Sequence, residues 1–200
     1  MIEKGRRDPA LFSFVLEMTV LRPTLVILAS LSPFLAACSP QASDDSDTES
    51  ANVGYADMLT ADGEKMGSAK LLWTDNAIAI TVVVEGLEPG ERAFHLHSAG
   101  TCDAPDFTSA GGHLNPLGRA HGSLNPDGQH LGDLPNIVTD EDGKSELAFT
   151  FSDETEQLVR QIFDADGTAV MIHSGPDDYM SDPAGAAGPR IACGVLNPAD

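Results

Sequence analysis

Basic residues are scarce in this chain of 200: Lys and Arg total 11 against 31 Asp and Glu, for a formal net charge of -20. A nucleic-acid backbone is held by clustered Lys and Arg, so this balance excludes nucleic acid as a partner. It also excludes a protein held to anionic lipid by charge. Cysteine is sparse too. Three are too few for a disulfide-stapled scaffold, and none falls in a Cys-x-x-Cys or zinc-knuckle spacing. The apolar run from Leu25 to Ala37 falls short of the roughly 20 residues that a membrane span needs. Disorder is not the consequence of these shortages, because 42% of the chain is hydrophobic and a sizeable core can form.

The short apolar run reads as the centre of an export signal. Arg22 precedes it, and Leu35-Ala36-Ala37-Cys38 closes it with a sequence that resembles a bacterial lipobox. The resemblance implies that residues 1–37 are a lipoprotein signal peptide and that Cys38 is lipidated and becomes the mature N-terminus. Met18 serves as a start as well as Met1, since it keeps Arg22 and the apolar run. Residues 38–52 contain no large apolar side chain and are expected to form a flexible acidic tether. Ser39 stands where an aspartate would resemble the signal for inner-membrane retention. The expected location is therefore the periplasmic side of the outer membrane, or the cell surface, with the lipid on Cys38 as the membrane contact.

From residue 53 to the end the pattern is β. Ile78, Ile80, Val82 and Val84 alternate with smaller or polar neighbours, as a half-buried strand requires. The run from Glu85 to Gly90 is a turn, and Arg92 to His97 reads as the next strand. Asp140-Glu141-Asp142-Gly143 separates Ile137-Val138 from Leu147, Phe149 and Phe151, which is a hairpin signal. Ala169 to His173 and Ile191 to Leu196 supply two further strands, and only Glu154 to Phe163 carries helical spacing. Short strands joined by Gly/Pro-rich turns indicate an all-β sandwich or barrel. Two stretches exceed what such a fold needs, residues 98–136 and 174–190, and long loops inside a compact domain are usually functional.

All six histidines lie in those loops or at their edges. His95 and His97 form a His-x-His pair on a strand, so both rings leave the same face and can reach one ion. His113, His121, His130 and Asp133 follow within one glycine-punctuated loop, and His173 ends a later strand. Imidazoles with one carboxylate suit zinc or copper. At this level scattered surface histidines remain an alternative for any one position.

Taken together, four segments resemble the copper/zinc superoxide dismutase family. They are Phe94-His95-Leu96-His97, Gly111-Gly112-His113-Leu114-Asn115-Pro116, His130-Leu131-Gly132-Asp133-Leu134-Pro135 and Gly188-Pro189-Arg190-Ile191-Ala192-Cys193-Gly194-Val195. Their order and spacing match across most of the chain after residue 53, and the His-Leu-Gly-Asp-Leu-Pro form is similar to the bacterial exported branch. The resemblance implies a Greek-key β-barrel or sandwich with two long functional loops. It implies copper at His95, His97, His113 and His173, and zinc at His113, His121, His130 and Asp133. Asp177 would link His95 and His121 from behind and fix their ring orientation. Cys102 and Cys193 would form the intrasubunit disulfide, which export makes plausible.

The implied reaction is dismutation of superoxide to oxygen and hydrogen peroxide. Arg190 would hold the anion beside copper, and His113 would bridge the two metals and relay a proton. Zinc does not change oxidation state, so it would hold the loop and polarise His113. Two features depart from the family. Its members often set lysines near the channel to draw superoxide in, whereas residues 98–136 contain only Arg119 as a base and residues 174–190 only Arg190. Pro189 before Arg190 is also uncommon there and is expected to alter the pose of the arginine. A lipid-anchored copper/zinc protein that stores or delivers metal without dismutating superoxide is the competing reading. The resemblance admits a homodimer, but the interface differs between branches of the family, so the sequence does not fix the assembly.

Overall fold

The alternating segments become nine antiparallel strands in the computed structural model, which describes residues 51–74, 76–152 and 155–199. They are β1 (Ala51–Thr60), β2 (Lys65–Thr74), β3 (Ala77–Glu85), β4 (Gly90–Arg92), β5 (Phe94–His97), β6 (Ile137–Thr139), β7 (Lys144–Thr150), β8 (Thr168–His173) and β9 (Arg190–Pro198). The expected signal segment, Met18, Cys38 and tether residues 38–50 lie outside the described residues. Ala51 and Asn52, expected to end the tether, instead open β1 and pair with Trp73 and Leu72.

The strand order is β4-β6-β7-β3-β2-β1-β9-β8-β5, which places β4 and β5 at opposite ends of the sheet. Only Ala93 separates those two strands in sequence. One short run of chain therefore pairs with β6 through its first half and with β8 through its second. The sheet nearly closes on itself there, in the expected Greek-key manner. Ala93 makes the change of partner: its amide donates to Gly175 O at 2.8 Å and its carbonyl accepts from His173 N at 3.0 Å.

Inside the barrel, Ile78, Ile80, Val82 and Val84 are at most 1% exposed while Val83 between them is 47% exposed. Each such burial is worth roughly 1.5–3 kcal/mol. Phe94 and Leu96 join this core, as does Leu158 of the short helix α1 (Thr155–Ile162), whose Leu158 and Ile162 bury one face. The β6–β7 hairpin falls at the expected turn, where Asp140 Oδ1 accepts the amides of Asp142 and Lys144, both at 2.9 Å.

Both long connections persist, and each has a place. Residues 98–136, with only a single 3₁₀ turn at Thr108–Ala110, cover the free edge of β5. Leu96 N donates to Gly132 O at 3.0 Å and Leu96 O accepts from Leu114 N at 2.8 Å, so an edge strand that would otherwise be open is paired by loop backbone. The Cys102–Cys193 disulfide ties the start of this connection to β9. Around it Phe107, Ala110, Ala169 and Met171 form a second small apolar cluster.

Candidate metal centre

The strand period decides which side chains of β5 meet the loops. Phe94 and Leu96 point into the barrel, so His95 and His97 point out of it, yet all four are buried. The two loops supply that cover. Single β-bridges set His95 opposite Asp133 and His97 opposite His113, which places loop residues with metal-ligating side chains beside those of the strand. His173 arrives from β8, and β9 sets Arg190 directly across from it. Loop 174–189 lies close over the cluster: Gly185 has φ 62°, and a Cβ there would collide with the Asp177 carboxylate.

Two sets of donor atoms result, each within 4.8 Å: His95, His97, His113 and His173, and His113, His121, His130 and Asp133. Both contain His113. In the first set, one nitrogen of each ring is spoken for. His95 Nε2–H donates to Asp177 Oδ2 at 2.8 Å, His97 Nδ1–H to Gly111 O at 3.0 Å, and His173 Nδ1–H to Gly188 O at 3.0 Å. His113 Nδ1 lies 2.7 Å from Asp133 Oδ1. The other nitrogens, His95 Nδ1, His97 Nε2, His113 Nε2 and His173 Nε2, are buried with no hydrogen-bond partner among the described residues. A buried acceptor without a partner costs about 1–3 kcal/mol, and four lone pairs facing one space fit a soft or borderline cation.

In the second set, three Nδ1 atoms converge on one carboxylate oxygen. His113, His121 and His130 lie 2.7, 3.0 and 3.0 Å from Asp133 Oδ1. His113 Nδ1 and His130 Nδ1 are 3.4 Å apart. Donors on a tetrahedral ion at bond lengths of about 2.0 Å would stand roughly 3.3 Å apart, so a cluster with separations of 2.7 to 3.4 Å would hold zinc after a small expansion. Asp133 Oδ2 is turned away and accepts the amides of Gly122 and His130 at 2.8 and 2.9 Å, which fixes Oδ1 on the rings. Burial pushes the Asp133 carboxyl up, but hydrogen bonds from His113 and from those amides outweigh it, and the group titrates below the usual carboxylate range.

Asp177 joins the two sets from behind, as expected. Its Oδ2 accepts from His95 and its Oδ1 from His121 Nε2 at 3.0 Å. The Asp177 backbone is held in turn by Asn136, whose Oδ1 accepts Asp177 N at 2.9 Å and whose Nδ2 donates to Asp177 O at 3.1 Å. Asp182 Oδ1 accepts the His121 amide at 2.6 Å. Neither Asn136 nor Asp182 stands out in the sequence. Each lies far along the chain from the residue it holds, and the signal exists only once the loops have met.

Burial drives the first set toward the neutral form. It lowers His95 to about 4 despite the Asp177 carboxylate, and His97 to about 2, with His113 adding to the effect. His113 and His173 are lowered as well, again chiefly by burial. Neutral rings keep the lone pairs that a metal needs. Without metal, however, the unfolded chain takes up protons below the ordinary pKa of 6.5 while the folded His95 does not until about 4. Stability of the metal-free protein is therefore whole above pH 6.5 and drains away as pH falls toward 4, by roughly 3 kcal/mol from His95 alone. Thermal unfolding of chelator-treated protein across that interval checks this; an unchanged melting temperature contradicts it.

Arg190 is half-buried, and its guanidinium donates to Phe107 O at 2.5 Å and to Gly111 O at 2.6 Å. Gly111 O is the same atom that accepts from His97. The arginine is thus bracketed by His173 across the strand pair and His97 through a shared carbonyl, with its remaining N–H groups uncommitted among the described residues. Pro189 does not carry it away from the cluster. The expected pair Cys102 and Cys193 is joined, with Cα atoms 5.8 Å apart.

Residues 66–196 match the family model described as copper/zinc superoxide dismutase. The chain is 48% identical over 145 residues to superoxide dismutase [Cu-Zn] 1 of Aquifex aeolicus, covering 71% of this chain and 86% of that protein. Among solved structures, it resembles a superoxide dismutase-like protein of Bacillus subtilis, with a TM-score of 0.68 and 36% identity over 74% of this chain and 100% of the other. It resembles the Cu/Zn superoxide dismutase of Brucella abortus with a TM-score of 0.58 and 28% identity, over 74% of this chain and 100% of the other.

Proposed function

Because this chain belongs to the copper/zinc superoxide dismutase family, we propose that it dismutates superoxide at a copper site joined to a zinc site through His113. The observation that carries this reading is the group of four buried ring nitrogens, on His95, His97, His113 and His173, that have no hydrogen-bond partner among the described residues and face one space. Copper, when bound there, supplies the one-electron couple that oxidises one superoxide and reduces the next. Zinc would be held by the set in which Asp133 and the Nδ1 atoms of His113, His121 and His130 meet.

The protein's own groups then divide the remaining work. His113 is held by Asp133 through Nδ1, so its Nε2 is the one ring nitrogen of the first set whose basicity the second set controls. That atom is suited to hold a proton and pass it toward the peroxide product. Asp177 keeps His95 and His121 in one orientation and one tautomer. Arg190 binds the incoming anion with the N–H groups that Phe107 and Gly111 leave free, and their carbonyls fix where it points.

Arg190→Ala in metal-loaded protein is expected to lower the dismutation rate about tenfold, in line with the rate gains that local charge gives anionic substrates. Metal content should stay unchanged, and Arg190→Lys should recover part of the rate. The competing reading, metal storage or delivery, draws on the likeness to the superoxide dismutase-like protein of Bacillus subtilis. Fully metal-loaded wild-type protein with no dismutation would establish it.

The same reading places the domain outside the cytoplasm, exported by residues 1–37 and anchored by lipid on Cys38 at the periplasmic side of the outer membrane or on the cell surface. Its support is the Leu35-Ala36-Ala37-Cys38 ending and the disulfide, which needs an oxidising compartment. Mass spectrometry of the mature N-terminus tests it; an unmodified Cys38 rejects it.

A further inference from the structure

A cleft of about 150 Å³ opens on the face of the domain where the second ligand set lies nearest the surface. His130 and Asp133 line it together with Phe149, Arg119, Gln129 and Ser152. Nothing in the dismutation chemistry uses it. The side-chain exposures of the second set single out one ligand: 8% for His130, against 2% for His113, 0% for His121 and 2% for Asp133. His130 thus has the most accessible side chain of the set, and with Asp133 it lines this cleft.

Arg119 gives the cleft a chemical character. It is the only Lys or Arg among residues 98–136, and it stands on a chain of formal net charge -20. Its backbone is fixed by Asn115, whose Oδ1 accepts Arg119 N at 3.0 Å and whose Nδ2 donates to Arg119 O at 2.8 Å. Its exposed guanidinium makes no ion pair or hydrogen bond among the described residues. A fixed backbone with an uncommitted cation beside an amide and a hydroxyl is suited to receive carboxylate groups.

We propose that this cleft is the port through which zinc enters and leaves, and that it takes the ion from a polycarboxylate ligand seated on Arg119. This rests on the zinc reading of the His113, His121, His130 and Asp133 set. The exchange is a ligand substitution with no redox step. His130 Nδ1 would take the place of a carboxylate oxygen of the carrier on zinc, the freed carboxylate staying with the carrier on Arg119, and release would run in reverse. The free cation gains nothing from Arg119, so the port discriminates by the charge of the carrier rather than by zinc itself.

The test is the rate of zinc loss from the holoprotein, followed optically with EDTA as the anionic chelator and phenanthroline as the neutral one. Zinc content is measured first, so that a protein that holds no zinc counts against the zinc reading and not against the port. Arg119→Glu is expected to slow loss to EDTA about tenfold while leaving loss to phenanthroline unchanged. Lys144→Glu, at the far end of β7 from the cleft, carries the same change in net charge and should leave both rates alone. Ser152→Trp, at an exposed position outside the metal loop, should slow both chelators by filling the cleft. Equal slowing of both chelators by Arg119→Glu would overturn the anionic carrier, and no effect of Ser152→Trp would overturn the port.

Discussion

Replacing His113 with alanine is expected to remove a ligand from both metal sites at once and to lower the dismutation rate more than about a hundredfold, beyond the usual cost of disturbing a ligand's support. His113 is the one residue common to the two donor sets. Its Nε2 belongs to the four nitrogens that lack a partner, and its Nδ1 lies 2.7 Å from Asp133 Oδ1. The other ligands serve one set each, so the comparison with His130→Ala is informative. That variant should lose zinc first and keep copper, because His130 belongs to the second set alone. Metal analysis alongside rate measurements distinguishes the two patterns. If His113→Ala retained both metals at wild-type content, the shared-ligand reading would fail, whatever happened to the rate.

How far this centre was legible in the sequence depends on the kind of signal each residue carries. The Phe94-His95-Leu96-His97 run declares its own geometry, since a period of two puts the apolar pair inside and the imidazole pair outside. Ile78, Ile80, Val82 and Val84 announce β3 in the same way. Strands β1 and β2 are quieter because small side chains fill their inward positions: Ala56 and Ala69 are wholly buried beside Met58 and Leu71. Asp57 and Lys70 do separate these inward positions, but an alanine carries too little apolar area for so short an alternation to stand out. The loop ligands were legible as one glycine-punctuated group, but their division into two sets came only through the resemblance, because no local period orders His113, His121, His130 and Asp133. The carbonyls of Gly111 and Gly188, which set the tautomers of His97 and His173, carry no side-chain identity at all. Asp177 is one acid among 31 until the two loops bring His95 and His121 to its two oxygens.

Removing the disulfide by Cys102→Ser with Cys193→Ser is expected to cost about 4 to 5 kcal/mol, the chain-entropy value for a closed loop of roughly 90 residues. The melting temperature should fall by about 10–20 °C. Part of the local structure would survive, since Phe107, Ala110, Ala169 and Met171 still pack together around the position of the bond. The consequence for the site is separate from the consequence for stability. Cys102 begins the segment that carries Phe107 O and Gly111 O, the two carbonyls that hold Arg190. Gly111 O also holds His97. Loosening that segment from β9 therefore releases the arginine's supports while leaving its charge in place. The rate should fall even well below the lowered melting temperature, at unchanged metal content, and Arg190→Ala should then cost less in the disulfide-free background than in the native one. Equal cost in both backgrounds would show that the bond serves the fold alone and that Arg190 keeps its aim without it.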